Sequence, residues 1–189
     1  MKLHPLPLTG AYLLEQEPFT DARGRFNRTF DAPFLASHGL RSGVAQAALS
    51  SNTRAGTLRG LHLQLPPAAE AKTIACWAGA LYDVIVDLRP GSPTRGQWYG
   101  TTLRAGDDRM LYVPEGFAHG YQALEDGTVA HYTMSSPYTP SLARGIRWDD
   151  PGLAIPWPLP APLLSERDAA QPTLAEFLSS PEAATLTPA

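Results

Sequence analysis

Between about residue 10 and residue 134 the chain repeats one pattern: a short run rich in β-branched and aromatic residues, then turn chemistry, then another run about eight to twelve residues further on. The clearest runs are 57–64, 72–77, 81–88, 98–103, 109–113, 118–124 and 129–134. Among them stand Arg89-Pro90-Gly91-Ser92-Pro93, Ala105-Gly106-Asp107-Asp108, Pro114-Glu115-Gly116 and Glu125-Asp126-Gly127, whose glycine, proline and aspartate favour tight reversals. The run 81–88 alternates, with Tyr82, Val84 and Val86 on one side and Asp83, Ile85 and Asp87 on the other. Both of its faces are partly apolar, so it is expected in the middle of a sheet. Strands this short and evenly spaced point to an all-β fold, a cupin-like double-stranded β-helix (jelly-roll) barrel, rather than a parallel architecture.

Beyond Pro140 the composition changes. Prolines crowd at 151, 156, 158, 160 and 162, and Ser165-Glu166-Arg167-Asp168 and Leu174-Ala175-Glu176-Phe177-Leu178 each suit the start of a short helix. The expectation is one domain over residues 1–178 and a flexible tail over residues 179–189, which are rich in Pro, Ala and Thr.

Charged residues make up 17% of the chain and the net charge is −3, which argues against coating nucleic acid. No apolar run approaches the roughly 20 residues of a spanning helix, and the start, Met1-Lys2-Leu3-His4-Pro5, has no signal-peptide core. No membrane partner is expected, and the cytoplasm is the default location. Cys76 is the single cysteine, so no internal disulfide can form. Of the 15 basic residues only Lys2 and Lys72 are lysine. An interior lysine in a chain that otherwise uses arginine draws attention, because its ammonium is the cation whose proton burial can move.

Three segments carry groups capable of chemistry. In Arg59-Gly60-Leu61-His62-Leu63-Gln64, strand alternation puts His62 and Gln64 on one face and Arg59 on the other. Pro114-Glu115-Gly116-Phe117-Ala118-His119-Gly120 supplies a second histidine in a PxGxxH pattern that resembles a cupin motif. His62, Glu70 and His119 offer three N/O ligands for a metal, although Lys72 two residues past Glu70 would repel a divalent ion. Ala130-His131-Tyr132-Thr133-Met134-Ser135-Ser136-Pro137-Tyr138 holds two tyrosines, each a competent general acid where it faces a developing carbanion.

Joined in order, Arg59 to Gln64, Tyr82-Asp83-Val84-Ile85-Val86-Asp87-Leu88-Arg89, Ser92-Pro93-Thr94, Gly96-Gln97-Trp98, Pro114 to Gly120, Gly145-Ile146-Arg147-Trp148-Asp149-Asp150-Pro151 and Ile155-Pro156-Trp157-Pro158 resemble the dTDP-4-dehydrorhamnose 3,5-epimerase family. The resemblance implies a nucleotide-sugar substrate, a 4-keto-6-deoxyhexose whose ketone acidifies the neighbouring C–H bonds. It gives His62 the role of base, Asp168 that of the carboxylate orienting it, Lys72 a place near the keto oxygen and Tyr132 that of the acid on the opposite face. Arg23, Gln46, Arg59, His119, Tyr138 and Arg167 match positions that hold the nucleotide, and Arg28 stands where the family usually has a glutamate. Ala48, Ala143 and Thr133 replace a commonly found asparagine, glutamate and lysine. The resemblance also implies no metal or redox cofactor, and a homodimer formed by sheet extension. A metal-dependent cupin enzyme and a non-catalytic sugar-binding module are the alternative readings.

Overall fold

The computed structural model describes residues 1–188; Ala189 lies outside the described residues. Thirteen strands form in chain order: β1 (Lys2–Pro5), β2 (Tyr12–Glu15), β3 (Phe19–Asp21), β4 (Gly24–Phe26), β5 (Gln46–Asn52), β6 (Leu58–Gln64), β7 (Lys72–Ala78), β8 (Ala80–Asp87), β9 (Trp98–Arg104), β10 (Arg109–Val113), β11 (Phe117–Ala123), β12 (Thr128–Met134) and β13 (Ala143–Gly145). All seven runs read from the sequence are strands, with ends shifted by no more than a residue. Three short α-helices accompany them: α1 (Ala32–Ser37), α2 (Glu166–Ala169) and α3 (Leu174–Ser179). Among the described residues no helix is long and apolar enough to cross a membrane.

One sheet has the order β1-β2-β10-β7-β12-β5 and the other β13-β6-β11-β8-β9, and β3 pairs with β4 as a separate hairpin. From β5 to β13 the chain changes sheet at each step except the β8–β9 hairpin, which winds it into a jelly-roll barrel. Alternation then divides the apolar residues into three layers. Ile74, Leu81, Ile85, Leu103, Leu111 and Ala130 fill the space between the sheets. Met110, Tyr112 and Ala75 face the opposite way from the larger sheet, with Leu14 of β2 beside Met110 and Leu35 of α1 packed against them. Leu61, Leu63, Val84, Val86 and Ala118 form the back of the smaller sheet. β8 is paired on both sides, as expected of a strand with two apolar faces.

The back of the smaller sheet needs a cover, and the proline-rich C-terminal third supplies it. Ile146, Leu153, Ile155 and Phe177 pack there. Fixed points hold this wrap in place. The Gln122 carboxamide exchanges two 2.9 Å bonds with the Leu159 backbone, and the Asp150 carboxylate accepts from the amides of Gly152, Leu153 and Leu174.

For residues 179–188 of the segment expected to be a flexible tail, composition misleads. Pro181–Thr185 form a 3-10 turn in which the Ser180 side chain caps the Ala183 amide, Ala183 and Leu186 are 1% and 2% exposed, and Glu182 grips Arg144 through two bonds of 2.6 and 2.8 Å. Two small apolar contacts and one ion pair suffice to dock a segment that lacks helix-forming sequence. We therefore expect Leu186→Ala to lower the unfolding free energy by about 2 kcal/mol, measured by urea denaturation, in the range of buried leucine truncations. A change under about 0.5 kcal/mol would mark the segment as a tail after all.

Candidate functional site

Strand β6 carries a register change that shapes everything around it. His62 stands opposite His119 and Arg59 opposite Tyr121, so Gly60 and Leu61 together face the single residue Gly120. This is a β-bulge. The bulge makes room for itself with glycine: a Cβ on Gly60 would lie 2.5 Å from Gly120 Cα, and Gly60 has φ near 135°. Simple alternation had put Arg59 and His62 on opposite faces. The extra residue reverses that, and both side chains enter the same cavity.

The cavity, of about 720 Å³, opens between the two sheets. From the smaller sheet come Arg59, His62, Gln64, His119 and Tyr121, and from the larger one Gln46, Ala48, Lys72, Tyr132 and Met134. Glu70, Tyr138, Ala143, Arg144, Ser165, Arg167 and Asp168 complete the wall. Nine of the eleven positions singled out from the sequence thus meet in one place: His62, Lys72, Tyr132, Asp168, Gln46, Arg59, His119, Tyr138 and Arg167. Arg23 and Arg28 do not. Arg23 sits on the β3–β4 hairpin with its side chain 88% exposed and bound to Asp21, and Arg28 pairs with Asp31 at 3.0 Å.

His62 Nε2 lies 2.6 Å from Asp168 Oδ1. Burial pushes the Asp168 carboxyl up, but the hydrogen bond and charge of His62, the Gly60 amide and the Ser165 hydroxyl hold it below the ordinary carboxylate value. A carboxylate only accepts, so Nε2 is the nitrogen that donates across this contact. Asp168 reaches this place because Ser165 caps α2, accepting from the Asp168 amide at 3.1 Å, and because Leu163 pairs with Thr57 next to β6. The carboxylate therefore fixes the orientation of the His62 ring.

On the facing sheet Lys72 Nζ lies 3.0 Å from Glu70 Oε1, with both side chains about one-tenth exposed. The Tyr132 phenol is raised above its ordinary value, first by burial and then by the neighbouring Tyr121, against a smaller opposing effect of Arg59. It is a protonated donor at neutral pH. His119 Nε2 is 3.0 and 3.1 Å from the two oxygens of Asp83, which is fully buried. At the rim Tyr138 accepts from Arg167 Nη1 at 3.1 Å, and its amide donates to Gln46 Oε1 at 2.8 Å.

Asp83, Ser165 and the pairing of Glu70 with Lys72 went unrecognised in the sequence. In the sequence Asp83 is one polar position of an alternating strand, and its partner is 36 residues away. Of the metal-ligand set weighed above, His62, Glu70 and His119 are each engaged by a different partner. Among the described residues no three His, Cys, Asp or Glu side chains gather closely enough to hold a metal ion.

Comparison with known proteins places this geometry. Residues 5–176 match the sequence profile of a family described as dTDP-4-dehydrorhamnose 3,5-epimerase. The chain is 40% identical over 178 residues to a dTDP-4-dehydrorhamnose 3,5-epimerase of Sinorhizobium fredii, covering 94% of this chain and 91% of that protein. It is 41% identical over 177 residues to a dTDP-4-dehydrorhamnose 3-epimerase of Streptomyces niveus, covering 93% and 85%. A crystal structure of the 3,5-epimerase from Bacillus anthracis, with TDP and PPi bound, superposes with a TM-score of 0.88 at 42% identity, covering 92% of this chain and 99% of that one.

The depressed Asp168 carboxyl carries a pH signature. A group whose folded value lies below its unfolded one stabilises the fold above the unfolded value, about 3.9 for aspartate, and ceases to do so as pH falls through the folded value. The difference in Tm between the wild type and Asp168→Asn is expected not to narrow from about pH 7 to pH 5 and to narrow only below about pH 4. Narrowing that begins above pH 5 would contradict an ionised, hydrogen-bonded Asp168.

Proposed function

This chain belongs to the dTDP-4-dehydrorhamnose 3,5-epimerase family, and on that premise we propose that its cavity inverts C3, C5 or both in a nucleotide-linked 4-keto-6-deoxyhexose. One observation carries the proposal: an oriented base on one sheet, His62 held by Asp168, shares a cavity with a protonated phenol and an ammonium from the other.

The chemistry follows from the groups. The C4 ketone acidifies the adjacent C–H bonds, and His62 Nδ1 takes such a proton as the electron pair moves to the keto oxygen. The Lys72 ammonium stabilises that enolate. Tyr132 returns a proton to carbon from the wall opposite His62, and the centre is inverted. One proton leaves and one arrives, so the step consumes no oxidant or reductant. Arg59, His119, Gln46, Tyr138 and Arg167 are assigned to the nucleotide diphosphate, since a guanidinium fork suits phosphate oxygens.

The test is incubation with dTDP-4-keto-6-deoxyglucose in deuterium oxide, with NMR to read which ring positions exchange and invert. His62→Ala should lower exchange at both positions by at least about a hundredfold, the usual scale of a lost base. Tyr132→Phe removes only a hydroxyl, so exchange should continue and exceed inversion. Wild-type turnover in His62→Ala, or exchange and inversion falling in strict proportion in Tyr132→Phe, would remove the respective assignment.

The same reading makes the protein a homodimer. The β3–β4 hairpin belongs to neither sheet, Phe19 and Phe26 pair across it 67% and 68% exposed, and Arg23 at its turn has no place in its own chain's cavity. Exposed paired aromatics on a projecting hairpin suit contact with another chain. In the dimer Arg23 sits near the partner's cavity. Light scattering at micromolar concentration should give twice the chain mass, and Arg23→Ala should weaken dTDP binding without changing that mass. A fully active monomer would overturn the assembly.

A further inference from the structure

The buried carboxamide of Asn52 takes no part in the reaction described above, yet it touches the cavity through a cation. Asn52 ends β5 with its side chain between the sheets, 2% exposed. Its Nδ2 lies 3.1 Å from the carbonyl oxygens of both Ser50 and Thr128, and 3.2 Å from Tyr121 Oη. Backbone carbonyls only accept hydrogen bonds, so they fix the amide nitrogen on their side and turn Oδ1 away. There Oδ1 accepts from Arg59 Nε at 3.0 Å, linking the edge strand of the larger sheet to β6 of the smaller one. Tyr121 donates to Ser50 Oγ at 2.7 Å and closes the network.

The charge of the partner matters as much as its geometry. Four cations line the cavity. Lys72 is paired with Glu70 and Arg144 with Glu182, whereas Arg167 meets the neutral Tyr138 hydroxyl and Arg59 meets the neutral Asn52 carboxamide. A carboxylate at position 52 would orient Arg59 as well but would cancel its charge. A carboxamide holds Nε and leaves the positive charge, with Nη1 and Nη2, for an anion.

We propose that Asn52 is a positioning and specificity residue, which presents Arg59 to the diphosphate of the substrate without neutralising it. The inference rests on the nucleotide-sugar reading of the cavity.

Calorimetric titration with dTDP and with thymidine, on the wild type, Asn52→Asp and Asn52→Ser, tests it alongside kcat and KM for the keto sugar. Both variants should raise the Kd for dTDP and the KM about tenfold or more, the scale of one charged hydrogen bond. Thymidine binding and kcat at saturation should stay within about twofold, and for Asn52→Asp the dTDP affinity should fall less steeply with salt than in the wild type. A merely structural residue would instead shift kcat and thymidine binding together with the rest. Asn52→Asp sets a carboxylate against two carbonyls, so if it does not fold the serine variant decides. Wild-type dTDP affinity in a folded Asn52→Ser overturns the inference alone. Failure of the wild type itself to bind dTDP at millimolar concentration overturns the nucleotide-sugar reading and this inference with it.

Discussion

Two glycines set face to face across neighbouring strands decide what this barrel can do. Gly60 and Gly120 approach so closely that neither could carry a side chain, since a Cβ on Gly120 would lie 2.7 Å from the Arg59 carbonyl. The bulge they permit turns Arg59 away from the apolar back of the sheet, where unbroken alternation would place it beside Leu61 and Leu63, and into the cavity beside His62. A guanidinium in that apolar layer would be unpaired and dehydrated, a cost of several kcal/mol. The Gly60 amide also favours the ionised form of Asp168, so the same irregular segment that redirects the cation supports the carboxylate beside His62.

That carboxylate arrives from 106 residues away, and its delivery depends on packing rather than on local sequence. The smaller sheet exposes a broad apolar back, and residues 146–186 cover it. Because the cover is anchored at Asp150, Gln122, Leu163 and finally Ala183 and Leu186, α2 is fixed between two docked segments rather than on a free loop. A four-residue helix has little stability of its own. The precision of the His62–Asp168 contact therefore draws on the whole wrap, and the C-terminal segment that looks dispensable in composition is part of what keeps Asp168 against the His62 ring.

The parts of this architecture that were legible in the sequence are those in which neighbours in the chain carry the signal. The seven strands from β6 to β12 announce themselves through β-branched runs and turns. β5 does not, because Gln46-Ala47-Ala48-Leu49-Ser50-Ser51-Asn52 has no β-branched residue, and its inward positions face a polar cavity and the network of Asn52 rather than a core. The docked C-terminal segment is illegible for a similar reason: a few contacts made far away in the chain outweigh local composition. Alternation placed His62 and Gln64 correctly and Arg59 wrongly, since no count of residues registers a bulge. Asp83 and Asn52 were invisible as site residues because their partners, His119 and Arg59, meet them only across sheets or strands. The likeness to known epimerases, not the spacing of residues, is what joins His62 to Asp168 in the sequence.

The distribution of charge explains how such a cavity could take a substrate with one anionic end and one neutral end. Lys72 is the deeply placed cation, its side chain 11% exposed, and a buried ammonium needs a counter-charge to remain an ion in an empty site, which Glu70 provides. Arg59 and Arg167 are exposed, so water can solvate them until a ligand comes, and neutral partners are enough to aim them. Under the proposed function, a diphosphate gains most from the cations whose charge is uncompensated, Arg59 and Arg167, and an uncharged hexose is left the part of the cavity where the fixed charges already balance, between His62 and Tyr132. On that proposal the orientation of the substrate follows from where the protein has, and has not, paired its own cations.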